Sequence, residues 1–148
     1  MCSNQSVEKF LFDIIPATIQ EANVVNAKLA EYNNSQVPFT QKESPILKNF
    51  IIKDNEEIIA GIKAEIYHWG ILYIDVLYVD ERYRGKGLGS ALLKKVENEG
   101  KQAGATLIHF DTFDFQAKDF YLKHGYEIFG VLEDCPKGHK RYYLKKNL

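Results

Sequence analysis

The chain has 148 residues, a formal net charge of −1 and 45% hydrophobic residues, the size and balance of one globular domain that buries its own core. Near-neutral charge excludes the strong basic excess of a general nucleic-acid binder. No apolar run reaches the ~20 residues of a membrane span. The two cysteines, Cys2 and Cys135, form neither a metal-ligand spacing nor a disulfide framework, so the expectation is free thiols, no metal and a cytoplasmic location. Residues 1–9 are polar and show no apolar stretch behind a basic start, so no secretory signal is read there.

In chain order, the apolar stretch 7–15 reads as a first strand closed by Pro16. Residues 17–32 carry apolar side chains at helical spacing (Ile19, Ala22, Val25, Leu29, Tyr32) and read as a helix ended by Asn33-Asn34-Ser35. Residues 38–45 are loop. Residues 48–53 and 58–69 read as two strands joined by a turn at Asp54-Asn55-Glu56-Glu57. After His68-Trp69-Gly70, the nearly continuous apolar run Ile71–Val79 has the look of a strand buried on both faces. A helix begins near Leu88, with Leu92 and Val96 on its inner face, and ends between Gly100 and Gly104. Residues 105–110 form a strand which, lying across a helical connection, runs parallel to Ile71–Val79. A short helix over 116–124, a strand over 126–132, a turn at Asp134-Cys135-Pro136-Lys137-Gly138 and a last strand over 141–144 complete the chain. The fold class is α/β of the α+β type. A mixed, mostly antiparallel sheet of about six to seven strands is flanked by helices.

The most informative stretch is Arg84-Gly85-Lys86-Gly87-Leu88-Gly89-Ser90. Glycine weakens a helix interior by about 0.8–1 kcal/mol relative to alanine, so three glycines at a helix start serve backbone freedom or close approach. A helix start offers unpaired N–H groups and a partial positive charge, and Arg82, Arg84 and Lys86 add formal charge. A doubly anionic group is the natural guest. The spacing is not the dinucleotide-binding G-x-G-x-x-G, and no Ser or Thr follows Gly85-Lys86 as a P-loop requires. A strand-to-helix turn that binds nothing is the competing reading.

Two blocks carry a resemblance. Leu77-Tyr78-Val79 followed by Arg84-x-x-Gly87-x-Gly89 is similar to the acetyl-CoA motif of the GNAT N-acetyltransferase superfamily. Ala117-x-x-Phe120-Tyr121-x-x-x-Gly125-Tyr126 is similar to that family's later block. The element order agrees over the whole chain, with one departure: Asp114 stands where the family often has Asn. The resemblance implies a single acetyltransferase domain over 1–148, with coenzyme A entering a splayed pair of parallel strands, commonly at a β-bulge. It implies that acetyl-CoA is held by Leu77, Tyr78, Val79, Arg84, Gly85, Lys86, Gly87, Leu88, Gly89, Ser90 and Gln116, and that an amine acceptor, small molecule or peptide, receives the acetyl group. Sheet edges in such folds often pair between subunits, so a homodimer is an expectation. A non-catalytic acyl-CoA sensor and a plain interaction domain are the other classes.

The chemistry requires a base or an exit for the amine proton, a donor for the oxyanion and an acid for the thiolate. From the resemblance, Tyr121 is the acid, since a phenol near pKa 10 stays protonated at neutral pH. Asp75 is the leading base: a carboxylate in an apolar strand is desolvated, which raises its pKa, and its parity puts it on the face of Leu77 and Val79. Asp111, then Glu65 and His68, are further candidates. Phe110-Asp111-Thr112-Phe113-Asp114-Phe115 reads either as an aromatic core stripe or as an acceptor-pocket lining.

Overall fold

The computed structural model describes residues 11–148. The chain divides between Pro38 and Phe39 into two compact units. The first holds helix α1, Ile19–Gln36. Its start is a reciprocal cap: the Thr18 hydroxyl accepts from the Glu21 N–H at 3.1 Å, and the Glu21 carboxylate accepts from the Thr18 N–H at 2.8 Å, a pairing typically worth about 1 kcal/mol. The helix runs four residues past the predicted end. The Ser35 hydroxyl donates to the Tyr32 carbonyl within the helix instead of breaking it. The stop comes at Val37, extended at φ −132° ahead of Pro38, whose ring disfavours a helical predecessor. Of the strand expected over 7–15, residues 7–10 lie outside the described residues, and residues 11–15 are not strand.

The second unit is a seven-stranded sheet with two helices: β1 (Ile46–Leu47), β2 (Phe50–Asp54), β3 (Glu57–Tyr67), β4 (Ile71–Val79), α2 (Leu88–Gln102), β5 (Leu107–Phe113), α3 (Lys118–Lys123), β6 (Glu127–Glu133) and β7 (Lys140–Asn147). The strand order is β1-β3-β4-β5-β7-β6, with β2 also on β3. All pairs are antiparallel except β4–β5, the mixed sheet expected from the sequence. The strand expected over 48–53 is interrupted. At Asn49 the side-chain amide oxygen, not the backbone, accepts the Ala64 N–H, and β1 and β2 are left as two pieces along one edge of β3.

The core lies between the sheet and α2. Ile62, Ile66, Leu72, Leu93, Val96, Ile108 and Leu144 are fully buried, each contributing about 1.5–3 kcal/mol. Gly100 lets α2 approach β4: a Cβ there would stand 2.8 Å from Leu72 Cδ2. β4 is not buried on both faces as its composition suggests. Leu72 and Ile74 are buried, whereas Asp75, Val76 and Tyr78 are exposed. β4 touches β5 only from Ile71–Leu107 to Tyr73–His109. From there β5 stays with β7, β4 stays with β3, and a gap opens between them.

Candidate functional site

The gap is a cleft of about 760 Å³, walled by β4 from Ile74 to Val79, by Phe110–Thr112 of β5, by the glycine loop and by α3. Its polar edge follows from strand geometry. The Asp80 N–H donates to Ile59 of β3 at 2.8 Å. Alternation along the strand therefore turns the N–H groups of Leu77 and Val79 away from β3 and into the cleft. The Val79 carbonyl points the same way and already accepts from Arg84 Nε at 3.0 Å. Arg84 thus fastens the glycine loop to the end of β4.

At the loop, Gly85 and Gly87 have φ of +77° and +82°, a left-handed conformation that costs other residues about 1–2 kcal/mol. Gly87 is the N-cap of α2 and offers no side-chain cap. The first intrahelical bond is Ala91 N–H to Gly87 O, so the N–H groups of Leu88, Gly89 and Ser90 have no helical acceptor. No acidic residue lies in this first turn. Gly89 serves closeness rather than conformation: a Cβ there would meet the Phe120 ring of α3 at 3.4 Å.

The charges flanking the loop are partly committed. Arg82 is bound to Asp80 and Glu57. The Lys86 ammonium lies over the Tyr83 ring at 5.3 Å, and neither Arg82 nor Lys86 lines the cleft, whereas Gly85, Gly87, Leu88, Gly89 and Ser90 do. Gln116 lines it too; its amide oxygen accepts from the Phe113 N–H at 2.8 Å and the Thr112 hydroxyl at 3.0 Å, which leaves its N–H donors to offer a ligand.

Tyr121 of α3 lines the cleft with only 6% of its surface exposed. Its ring packs on Phe110 at 4.4 Å and on Phe120 at 5.2 Å. Burial pushes its hydroxyl up to about 12, so it holds its proton throughout the neutral range.

Asp75 is placed differently from its sequence reading. The β3–β4 register shifts between Lys63 and Ala64, which face Val76 and Ile74, so Asp75 is the extra residue of a bulge. The bulge resets the alternation: Leu72 and Ile74 before it and Leu77 and Val79 after it pack on the core. Asp75 therefore does not share the face of Leu77 and Val79. Its carboxylate is 54% exposed and lies 3.2 Å from Lys63 Nζ. It lines the cleft mouth without the desolvation argued for a base. Asp111 also lines the cleft, bound by Arg141 at 2.7 Å. His68, stacked on Phe39 and bonded to Ser44, and Glu65 do not line the cleft.

Asp114, the departure from the family pattern, accepts from the Lys140 N–H at 2.9 Å and from His139 Nδ1 at 2.8 Å. It ties the end of β5 to the start of β7. The Lys140 N–H first, and His139 after it, hold its carboxyl below the ordinary range. Thr112, within the stretch read as either core stripe or pocket lining, does line the cleft. Sequence reasoning passed over Tyr83 as a cleft residue. It also missed the contact of Ser90 with His124, 34 positions apart, for which no local pattern gives a signal.

The match to known proteins agrees with this geometry. The family model described as acetyltransferase (GNAT) family matches residues 18–126. A blasticidin-S acetyltransferase of Streptomyces morookaense is 34% identical over 93 residues, 62% of this chain and 68% of that protein. A crystal structure of an acetyltransferase from Bacillus cereus is 38% identical, with a TM-score of 0.84 over 93% of this chain and 98% of the other. An aminoglycoside 6'-N-acetyltransferase crystallised with coenzyme A shares the fold at 18% identity, with a TM-score of 0.61 over 91% and 97% of the two chains. A cleft between parting strands, closed at one end by an uncapped helix start, is thus found in a chain that belongs to the GNAT acetyltransferase family.

Proposed function

We propose that the protein transfers the acetyl group of acetyl-CoA to an amine by direct attack within the β4–β5 cleft. The observation that carries this reading is one cleft lined both by the helix start of Leu88, Gly89 and Ser90, whose N–H groups have no helical acceptor, and by the buried, protonated Tyr121 of α3. The pyrophosphate lies on the helix start, where unpaired N–H groups and the helix dipole favour negative charge. The Leu77 and Val79 N–H groups, facing the cleft, extend the edge of β4 to the pantetheine amides.

In the reaction the amine nitrogen attacks the thioester carbonyl carbon. The oxyanion of the tetrahedral intermediate takes a hydrogen bond from a β4 N–H, a donor fixed before the charge develops. The carbon–sulfur bond then breaks to give amide and thiolate. The Tyr121 hydroxyl gives its proton to the departing sulfur to complete the thiol, and the proton lost by the attacking amine returns to the Tyr121 oxygen through water. Asp75, which lines the cleft beside Lys63, meets the ammonium of the incoming acceptor, and the ammonium loses its first proton to solvent before the attack. The relative named for blasticidin-S supports trying that compound first as acceptor.

The test is an acetylation screen with labelled acetyl-CoA over small amines, blasticidin-S and peptide amines. Transfer to an amine that falls at least about tenfold in kcat for Tyr121→Phe, with coenzyme affinity retained, is expected of a general acid. Turnover unchanged in Tyr121→Phe removes it from the mechanism. Coenzyme binding with no transfer to any amine leaves the protein as a sensor. Asp75→Asn raises the acceptor KM more than it lowers kcat; the opposite split assigns it the proton transfer.

A further inference from the structure

We propose that His124 is a positioning residue for the coenzyme: it turns the Ser90 hydroxyl toward the pyrophosphate, and its protonation tunes coenzyme affinity. This rests on the coenzyme reading above and adds a residue and a pH dependence to it.

Ser90 lies in the first turn of α2 and lines the cleft. Its Oγ is 3.0 Å from His124 Nε2. His124 is the half-buried C-cap of α3, three residues beyond Tyr121, with contacts to its backbone and to its ring. Its N–H donates to the Tyr121 carbonyl at 3.0 Å, its carbonyl accepts from Lys146 Nζ at 2.8 Å, and the Phe120 ring packs on the imidazole at 4.6 Å. The Phe120 ring and Ser90 thus orient the imidazole from two sides.

Those protons decide what Ser90 shows the cleft. With the proton on Nδ1 alone, Nε2 is an acceptor and takes the Ser90 O–H, so the serine presents only lone pairs to an anion. With Nε2 protonated, in either the other neutral tautomer or the imidazolium, Nε2 donates to Oγ and the O–H is free to donate into the cleft. A pyrophosphate oxygen binds the second arrangement and is repelled by the first. The imidazolium supplies that arrangement without a choice of tautomer and adds a positive charge beside the anion. By linkage, bound coenzyme stabilises protonated His124, and affinity declines as pH rises through the histidine pKa.

The surrounding charges are named by the same geometry. From α2 come Ser90 and Glu97; from β7 comes Lys146, which bridges the His124 carbonyl and both Glu97 oxygens at 3.2 Å. Glu97 also accepts from the Tyr126 hydroxyl at 2.7 Å. Lys123 on α3 and Lys94 on α2 are exposed. Lys146 and Glu97 are paired with each other at 3.2 Å.

The experiment is calorimetric titration of coenzyme A into the full chain at about pH 5.5 and about pH 8.5. Wild type, His124→Gln and Ser90→Ala are compared. Glutamine keeps a donor for Oγ at every pH, and dividing by its affinities removes the titration of the coenzyme's own phosphates. The expected result is that the wild-type affinity, relative to His124→Gln, falls about five- to tenfold across the range. Ser90→Ala loses most of that fall and keeps only the share that the imidazolium charge supplies directly. Nitrogen-detected NMR of the wild-type imidazole keeps the idea testable should His124→Gln fail to fold: coenzyme must increase the population protonated at Nε2. Parallel profiles in wild type and His124→Gln, or an imidazole unchanged by coenzyme, overturn the proposal alone. Absence of coenzyme binding to wild type at both pH values overturns the coenzyme reading with it.

Discussion

The two halves of β4 have similar composition and different fates. Ile71–Tyr73 hydrogen-bonds to β3 on one edge and to β5 on the other, and Leu72 at its centre is fully buried against α2 at Gly100. Residues 74–79 keep β3 and lose β5. Their free edge holds the N–H groups of Leu77 and Val79, and the cleft fills the space of the missing neighbour. The difference teaches that a site need not be made of unusual residues. Ile74, Val76 and Leu77 are ordinary strand formers; what turns core into binding edge is the loss of one ladder, with the bulge at Asp75 marking the change.

Substitutions that treat the halves separately sharpen or break this contrast. In the closed half, Leu72→Ala removes a fully buried side chain and costs about 2–5 kcal/mol by thermal or chemical denaturation, with coenzyme affinity of the folded protein little changed. At the loop that closes the open half, Gly87→Val forces a branched residue into a left-handed conformation. It costs about 1–2 kcal/mol of stability and, unlike Leu72→Ala, weakens coenzyme binding measured by titration. In the open half itself, Val76→Ala removes an exposed methyl pair and shifts stability by less than about 1 kcal/mol. Equal losses for Leu72→Ala and Val76→Ala would erase the distinction.

The smallest effect lies outside β4, at Asp114. Its carboxyl is held below the ordinary 3.8 in the folded protein. Its contribution is therefore full above the unfolded value and is lost as pH falls through the folded one. Asp114→Asn removes that dependence, so melting temperature falls less steeply below about pH 4 than in wild type. A slope equal to that of wild type would free Asp114 from its link to Lys140 and His139.

Much of this was legible before the structure. The bounds of β4 coincide with the apolar run between Gly70 and Asp80, because turn residues at both ends punctuate a strand locally. The loop, the start of α2, the parallel β4–β5 pair and the mixed sheet followed from glycine spacing and element order. What escaped the sequence is non-local. Asp75 read as a buried carboxylate because its neighbours are apolar, but a bulge is defined by the opposing strand, and Lys63 sits across it. The early end assigned to α1 weighted Asn33 and Ser35 as breakers, whereas Pro38 sets the stop. The break at Asn49 and the Ser90–His124 contact depend on side chains meeting across the fold, for which spacing along the chain carries no signal.

The short seam between β4 and β5 also bears on how the sheet comes apart. Three residue pairs, with α2 behind them, join the strands β1–β4 to the strands β5–β7. A short ladder within the sheet thus borders its cleft. A ligand that touches β4 on one side and α3 on the other works as a rivet across that ladder. Subglobal opening along the seam, seen as early hydrogen exchange at residues 74–79, then closes on ligand binding before the global unfolding barrier is felt at all.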